Sequence, residues 1–174
     1  MKFREIKLAG VYVIELEKKE DDRGFLTRWW DKKEFRKLGM SEGLTQGYIS
    51  FTKQKGTVRG FHFLLPPAKE FKLVRVISGS IFEVAIDLRK DSKTYKKWQG
   101  FKFSAEDYKM LFITPGFAHA ILTLEQNTQI MALYSPNYDP KLEKGIRFDD
   151  PKFKIKWPIK VEHVSDKDKA WEDF

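Results

Sequence analysis

The chain contains no cysteine in 174 residues. That excludes disulfides, cysteine-ligated zinc and thiol nucleophiles together. Histidine is scarce, with only His62, His119 and His163. A histidine-based metal site in a small barrel needs two or three histidines plus a carboxylate on neighbouring strands, often as His-x-His. Here His62 is followed by Phe63 and Leu64, so no metal is expected, and no other cofactor either. The sequence has no Gly-x-Ser-x-Gly elbow, no P-loop and no dinucleotide fingerprint. It has no apolar run long enough to span a bilayer, and Met1-Lys2-Phe3-Arg4-Glu5 opens without an apolar signal segment. A cytoplasmic protein with no membrane partner is the expectation. No internal repeat or low-complexity stretch is visible.

What is present is a globular composition, 41% hydrophobic and 15% aromatic. The length suits one domain, residues 1–174, with a substantial core. The formal charge of +8 first suggests nucleic acid. However, the lysines are interleaved with acids, as in Glu17-Lys18-Lys19-Glu20-Asp21-Asp22-Arg23. No arginine stripe or RNA-binding motif accompanies them, so a solvated lysine-rich surface is expected and no nucleic-acid partner. A modest positive field would still help recruit a phosphorylated small molecule.

Apolar and β-branched runs recur at short, regular intervals. They predict strands over 10–16, 25–30, 44–52, 71–77, 81–88, 98–103, 110–113, 117–124 and 128–134. One helix is expected over 31–39, with Asp31 as N-cap, Phe35 and Leu38 facing inward and Gly39 ending it. Ser78-Gly79 reads as a tight hairpin turn between its flanking strands. The tail from Asp149 has few strand signals, but its prolines and Trp157 suggest an ordered wrap. The pattern is all-β, an antiparallel sandwich or barrel.

The densest chemistry lies in residues 56–76, GTVRGFHFLLPPAKEFKLVRV, read as strand, corner, strand. It carries Arg59, His62 and Lys72 within about one hairpin's reach. Strict alternation puts Val58, Gly60 and His62 on one face and Arg59, Phe61 and Phe63 on the other, unless a bulge intervenes. Gly60 would leave room for a ligand beside His62. Two readings stay open on these residues alone: a satisfied core histidine with two solvated cations, or a general base between phosphate-type cations.

The ordered series DDRGF, Gln46 with Ser50, GTVRGFH, FKLVRVISGSIFEVAIDLRKDS, ITPGFAH, IRFDDP, WP and SDKD resembles the dTDP-4-dehydrorhamnose 3,5-epimerase family. The resemblance runs from about Gly10 to Asp168. It implies a metal-free, cupin-type antiparallel β-sandwich or jelly-roll barrel with a short helix and a C-terminal wrap. It also implies a homodimer that exchanges N-terminal strands, with GVYVIEL as a candidate edge, and a dTDP-linked 4-keto-6-deoxy sugar as the partner molecule. By the same matching His62 is the base, Asp168 the carboxylate that orients it, and Lys72 the cation beside the C4 oxygen. Arg59 and Arg23 grip the diphosphate, with Arg23 available from the partner subunit. His119, Gln46 and Ser50 line the pocket, and Tyr138 lies next to the nucleotide base.

The chain departs from the family's pattern at several positions. Ala132 stands where the family has its proton-donating tyrosine. Tyr134 lies two residues on, about 6–7 Å along the strand on the same face, and is the candidate to replace it. Tyr48 stands at an asparagine that helps hold substrate, Arg28 at an acid near the nucleotide base, Lys19 at an aromatic, and Glu83 at an aspartate. Asp87 and Arg89 read as a structural ion pair, His163 as a surface residue, and Trp29-Trp30 as core or dimer interface. Alternatives to an epimerase are a non-catalytic nucleotide-sugar-binding cupin and a sugar ketoisomerase on a related scaffold.

Overall fold

A computed structural model describes residues 1–40 and 43–174. The strands in chain order are β1 (Lys2–Glu5), β2 (Val11–Glu15), β3 (Lys18–Asp21), β4 (Gly24–Thr27), β5 (Gln46–Thr52), β6 (Thr57–Leu64) and β7 (Phe71–Ser78). They continue with β8 (Ser80–Asp87), β9 (Trp98–Ser104), β10 (Lys109–Ile113), β11 (Phe117–Thr123), β12 (Thr128–Ser135), β13 (Glu143–Gly145) and β14 (His163–Val164). Helix α1 spans Lys32–Arg36 and α2 spans Asp166–Lys169.

Two sheets face each other. One has the order β1-β2-β10-β7-β12-β5, the other β13-β6-β11-β8-β9, with β14 added in parallel to β6. From β5 to β8, and again from β10 to β12, each strand lies in the opposite sheet from the one before it. This is the cupin-type jelly-roll sandwich, and it corrects the local hairpin readings. The Pro66-Pro67 corner and Gly79 do not fold adjacent strands onto each other. They carry the chain across from one sheet to the other. A Gly-containing turn fits either event, because its conformational freedom says nothing about which strand becomes the partner.

Alternation fills both sides of each sheet. Val74, Val76, Val11, Val13, Leu111 and Ile113 meet Ile81, Ala85, Phe117 and Ile121 in the interior. On the far side of the first sheet, Leu73, Ile14 and Phe112 are covered by Phe35, Trp29 and Trp30. Asp31 caps α1 by accepting from Lys33 N–H, and Phe35 is fully buried. Burying that ring is worth about 2–3 kcal/mol. On the far side of the second sheet, Ile146, Phe153, Ile155 and Trp157 cover Phe61, Val84 and Ile86, so the tail is indeed an ordered wrap. Strand β11 is consequently buried at every position. The segment expected at an edge, GVYVIEL, is internal, because the unanticipated β1 pairs with β2 and leaves β1 and β5 at the margins.

The β6–β11 register slips between His119 and Ala120, so that His119 faces His62 while Ala120 faces Gly60. The extra residue on β6 is a bulge. It places Arg59 and His62 along one cavity and sends Phe61 to the opposite side, which overturns strict alternation. Gly60 does not make room for a ligand. It has φ +111°, and a Cβ there would lie 2.5 Å from the His119 carbonyl oxygen and 2.9 Å from Ala120 Cα. Its hydrogen side chain admits the neighbouring strand. Gly60→Ala is therefore expected to lower stability by about 2–4 kcal/mol in urea unfolding; a change under about 0.5 kcal/mol would contradict this packing.

Candidate active site at the mouth of the sandwich

His62 and Lys72 are ten residues apart in sequence but stand on opposing sheets. The outer edge of β6 is covered in two pieces, β13 against His62–Leu64 and β14 against Thr57–Val58. The Asp168 carboxylate enters between them. Its Oδ2 accepts from Gly60 N–H at 3.2 Å and its Oδ1 lies 2.6 Å from His62 Nε2. Local sequence explains how it arrives there. Ser165 caps α2 by accepting from Asp168 N–H. In a capping box the third residue's carboxylate would turn back to the cap; here it reaches out to β6.

Asp168 is 3% exposed. Burial alone would raise its pKa, but His62 and the Gly60 N–H hold it below the ordinary aspartate value. A carboxylate at Nε2 places the neutral ring's proton on that nitrogen and leaves Nδ1 as the acceptor.

The cavity has two connected lobes that share His62, His119, Tyr48 and Tyr134. The smaller, about 240 Å³, adds Glu70, Lys72, Tyr138 and Glu143. The larger, about 480 Å³, adds Ser50, Arg59, His163, Lys167 and Asp168. Arg59 reaches from β6 to the opposite sheet, donating to Thr52 Oγ1 at 3.0 Å and to the Phe51 carbonyl. A broader depression beside Met1, about 550 Å³, contains none of these groups, so volume alone does not locate the chemistry.

Deep in the site, His119 Nδ1 lies 3.1 Å from Glu83 Oε1. Burial pushes Glu83 up to about 8, against the pull of Lys72. Burial, then the charges of Lys72 and His62, pushes His119 well down. Both shifts favour the neutral forms of the two partners. Burial, then Glu83 and Glu70, also pushes the Tyr134 phenol strongly up, so it stays protonated.

Most of the expected residues converge here. His62, Asp168, Lys72, His119, Ser50, Arg59, Tyr48, Tyr134 and Tyr138 line the two lobes. Gln46 acts one step back, with its Oε1 accepting from Tyr138 N–H at 2.6 Å. Arg23 and Arg28 are not brought in. Arg23 sits exposed on the β3–β4 hairpin beside Asp21, and Arg28 pairs with Asp31 by the Met1 depression.

Two of the departures turn out to be one. Ala132 and Tyr48 are direct cross-strand partners, and the Tyr48 ring lies 5.2 Å from Tyr134. Asp87 is a structural ion-pair partner, as expected. Burial would raise it, but Arg89, Ser92 and Thr94 hold it at about 2.

Residue patterns missed Glu70, Glu143, Lys167 and His163. Glu143 accepts from Tyr138 Oη at 2.5 Å and Lys167 Nζ at 2.6 Å. Its three-residue strand has no periodicity to find, whereas Lys167 sat inside SDKD. His163 is half-buried in β14 and lines the larger lobe. Among the described residues, no group of three or more histidines and acids is placed to hold a metal, and no helix is long and apolar enough to cross a membrane.

A two-sheet cupin sandwich with a histidine–carboxylate pair at its mouth defines the class. The model of the dTDP-4-dehydrorhamnose 3,5-epimerase family matches residues 5–174, and the chain belongs to that family of carbohydrate epimerases. It is 38% identical over 171 residues to dTDP-4-dehydrorhamnose 3,5-epimerase of Sinorhizobium fredii, covering 98% of this chain and 88% of the relative. It is 30% identical over 169 residues to dTDP-4-dehydrorhamnose 3-epimerase of Streptomyces niveus, covering 97% and 81%. The crystal structure of dTDP-4-dehydrorhamnose 3,5-epimerase from Bacillus anthracis with TDP and PPi bound superposes with a TM-score of 0.93 at 34% identity, covering 99% of each chain.

Asp168 contributes stability above the unfolded-state carboxylate value that is lost as pH falls from about 4 through its depressed native value. In urea unfolding from pH 6 to 3, the wild type should lose stability more steeply than Asp168→Asn. Parallel curves would contradict the His62–Asp168 pairing.

Proposed function

We propose that this protein epimerises a nucleotide-diphosphate-linked 4-keto-6-deoxy sugar, most simply a dTDP sugar, by removing a proton next to the C4 ketone. The observation that carries this reading is the 2.6 Å His62–Asp168 contact in a cavity that Lys72 also lines from the opposite sheet. His62 Nδ1 takes the α-proton, the C–H electron pair forms a C=C bond to C4, and the carbonyl π pair moves to the C4 oxygen, giving an enolate. Lys72 stabilises that oxygen by charge, while Asp168 stabilises the imidazolium. Return of a proton to the opposite face inverts the centre. Tyr134, held protonated and close to Lys72, is the proposed donor.

Arg59, Ser50 and Lys167 suit the diphosphate, and Tyr138 with Tyr48 suits a stacked base. TDP and PPi in the Bacillus anthracis relative support a nucleotide ligand. No cofactor is required by this chemistry. The β3–β4 hairpin exposes Leu26, Phe25 and Arg23, which fits a homodimer in which Arg23 completes the partner's diphosphate site. A cytoplasmic, single-domain enzyme fits this substrate.

Ala132 favours a second reading of the outcome. With the phenol two residues along the strand, the second reading is opposite-face protonation, and so inversion, at one carbon only; the Streptomyces niveus relative carries the name of a 3-epimerase. A binding protein without turnover would hold the nucleotide sugar and leave its hydrogens unexchanged. A ketoisomerase would move the carbonyl.

Proton NMR in deuterated water tests these readings. Wild-type protein should wash deuterium into C3, C5 or both of a dTDP-4-keto-6-deoxy sugar, and His62→Ala should slow this by about 10²–10⁴-fold with the fold intact. No wash-in by folded, nucleotide-binding wild type would reject the enzyme. Tyr134→Phe should leave exchange at one carbon and cut inversion by about 10²-fold. Unchanged inversion would remove Tyr134 from the mechanism.

A further inference from the structure

We propose that Glu70 is a positioning residue for this site, its carboxylate fastening the Lys72 ammonium to the cavity wall and keeping it charged out of reach of water. Glu70 Oε2 lies 2.6 Å from Lys72 Nζ, and the two side chains are only 13% and 4% exposed. Glu70 follows the proline corner and immediately precedes β7, two residues before Lys72, so extended backbone sends both side chains to the same face. An ammonium has three N–H donors. One is taken by Glu70, and the ring of Tyr134 lies 4.8 Å from Nζ. That leaves donor capacity directed at the lobe that both residues line.

The other charged and titratable groups around Lys72 contribute less than Glu70. Glu83 from β8 also supports the Lys72 charge, but less than Glu70 does, and burial raises its own pKa. Glu143 from β13 is engaged by Lys167 and Tyr138. His119 from β11 is pushed toward neutrality. His62 from β6 is committed to Asp168, and Tyr134 and Tyr48, from β12 and β5, contribute phenols. Burial lowers the Lys72 pKa, and the charge and hydrogen bond of Glu70 are the largest opposing causes. A lysine buried without its partner would shed its proton, and with it the ability to stabilise an oxyanion. The catalytic consequence rests on the epimerase reading; the charge state belongs to the resting protein.

The test is Glu70→Gln, which keeps the shape and one hydrogen-bonding oxygen but removes the charge, with Glu70→Asp as the conservative variant. Lys72 Nζ is titrated by ¹⁵N NMR, and deuterium exchange into the dTDP-4-keto-6-deoxy sugar is followed against pH. In Glu70→Gln the Lys72 midpoint should fall by about one unit or more. The alkaline limb of exchange should fall with it, while the rate at acid pH stays within about twofold of wild type. Glu70→Asp should restore the wild-type profile. An unmoved Lys72 titration, or a rate lowered equally at every pH, would overturn the proposal. If Glu70→Gln does not fold, adding Lys72→Met should recover stability, since the stranded charge is then gone. A double variant no more stable than the single one would overturn it too. Because the NMR titration needs no turnover, a wild type that binds nucleotide sugar but exchanges nothing rejects the epimerase reading without settling the role of Glu70.

Discussion

One carboxylate ties the molecule together. Asp168 arrives at the end of the C-terminal wrap and fills the gap that β13 and β14 leave along β6. There it accepts from Gly60 N–H and from His62. The first bond satisfies an edge amide that would otherwise be buried without a partner, at a cost of about 1–3 kcal/mol. The second fixes the tautomer of the imidazole. The closure of the fold and the protonation state of its key histidine therefore depend on the same side chain.

The crossing of the chain between sheets supplies the other half of the site. Because the Pro66-Pro67 corner passes from one layer to the other, His62 and Lys72 face a common cavity from opposite walls. An ammonium in that wall is expensive. Taking such an ion out of water costs several kcal/mol, which an ion pair offsets only with good geometry. The short contact with Glu70 meets that condition. The same lack of water strengthens the field that Lys72 exerts on any oxygen beside it. Burial that weakens the fold thus makes the group useful to the reaction.

Much of this was legible in the sequence. Repeated short apolar runs signalled an all-β sandwich, Asp31 and Phe35 located the helix, and the ordered motifs identified most of the cavity wall. What escaped was set by tertiary pairing. The hairpin reading of Ser78-Gly79 failed because a turn signal does not specify the partner strand. Strict alternation failed at Gly60 because a bulge is invisible without the facing strand. Glu143 and His163 sit in strands of three and two residues, too short for any periodicity. That the Tyr48 and Ala132 departures belong together emerged only from register: Tyr48 lies opposite Ala132, with Tyr134 beside it.

The central claim is that the imidazole of His62 and the ammonium of Lys72 act on one ketosugar from opposite sheets. The most direct measurement is a crystal structure with an intact dTDP-4-keto-6-deoxy sugar or its unreactive 4-hydroxy analogue. The account predicts the C4 oxygen within hydrogen-bonding distance of Lys72 Nζ, with an adjacent C–H directed at His62 Nδ1. A sugar seated away from Lys72, or one with both neighbouring hydrogens turned from the imidazole, would contradict it.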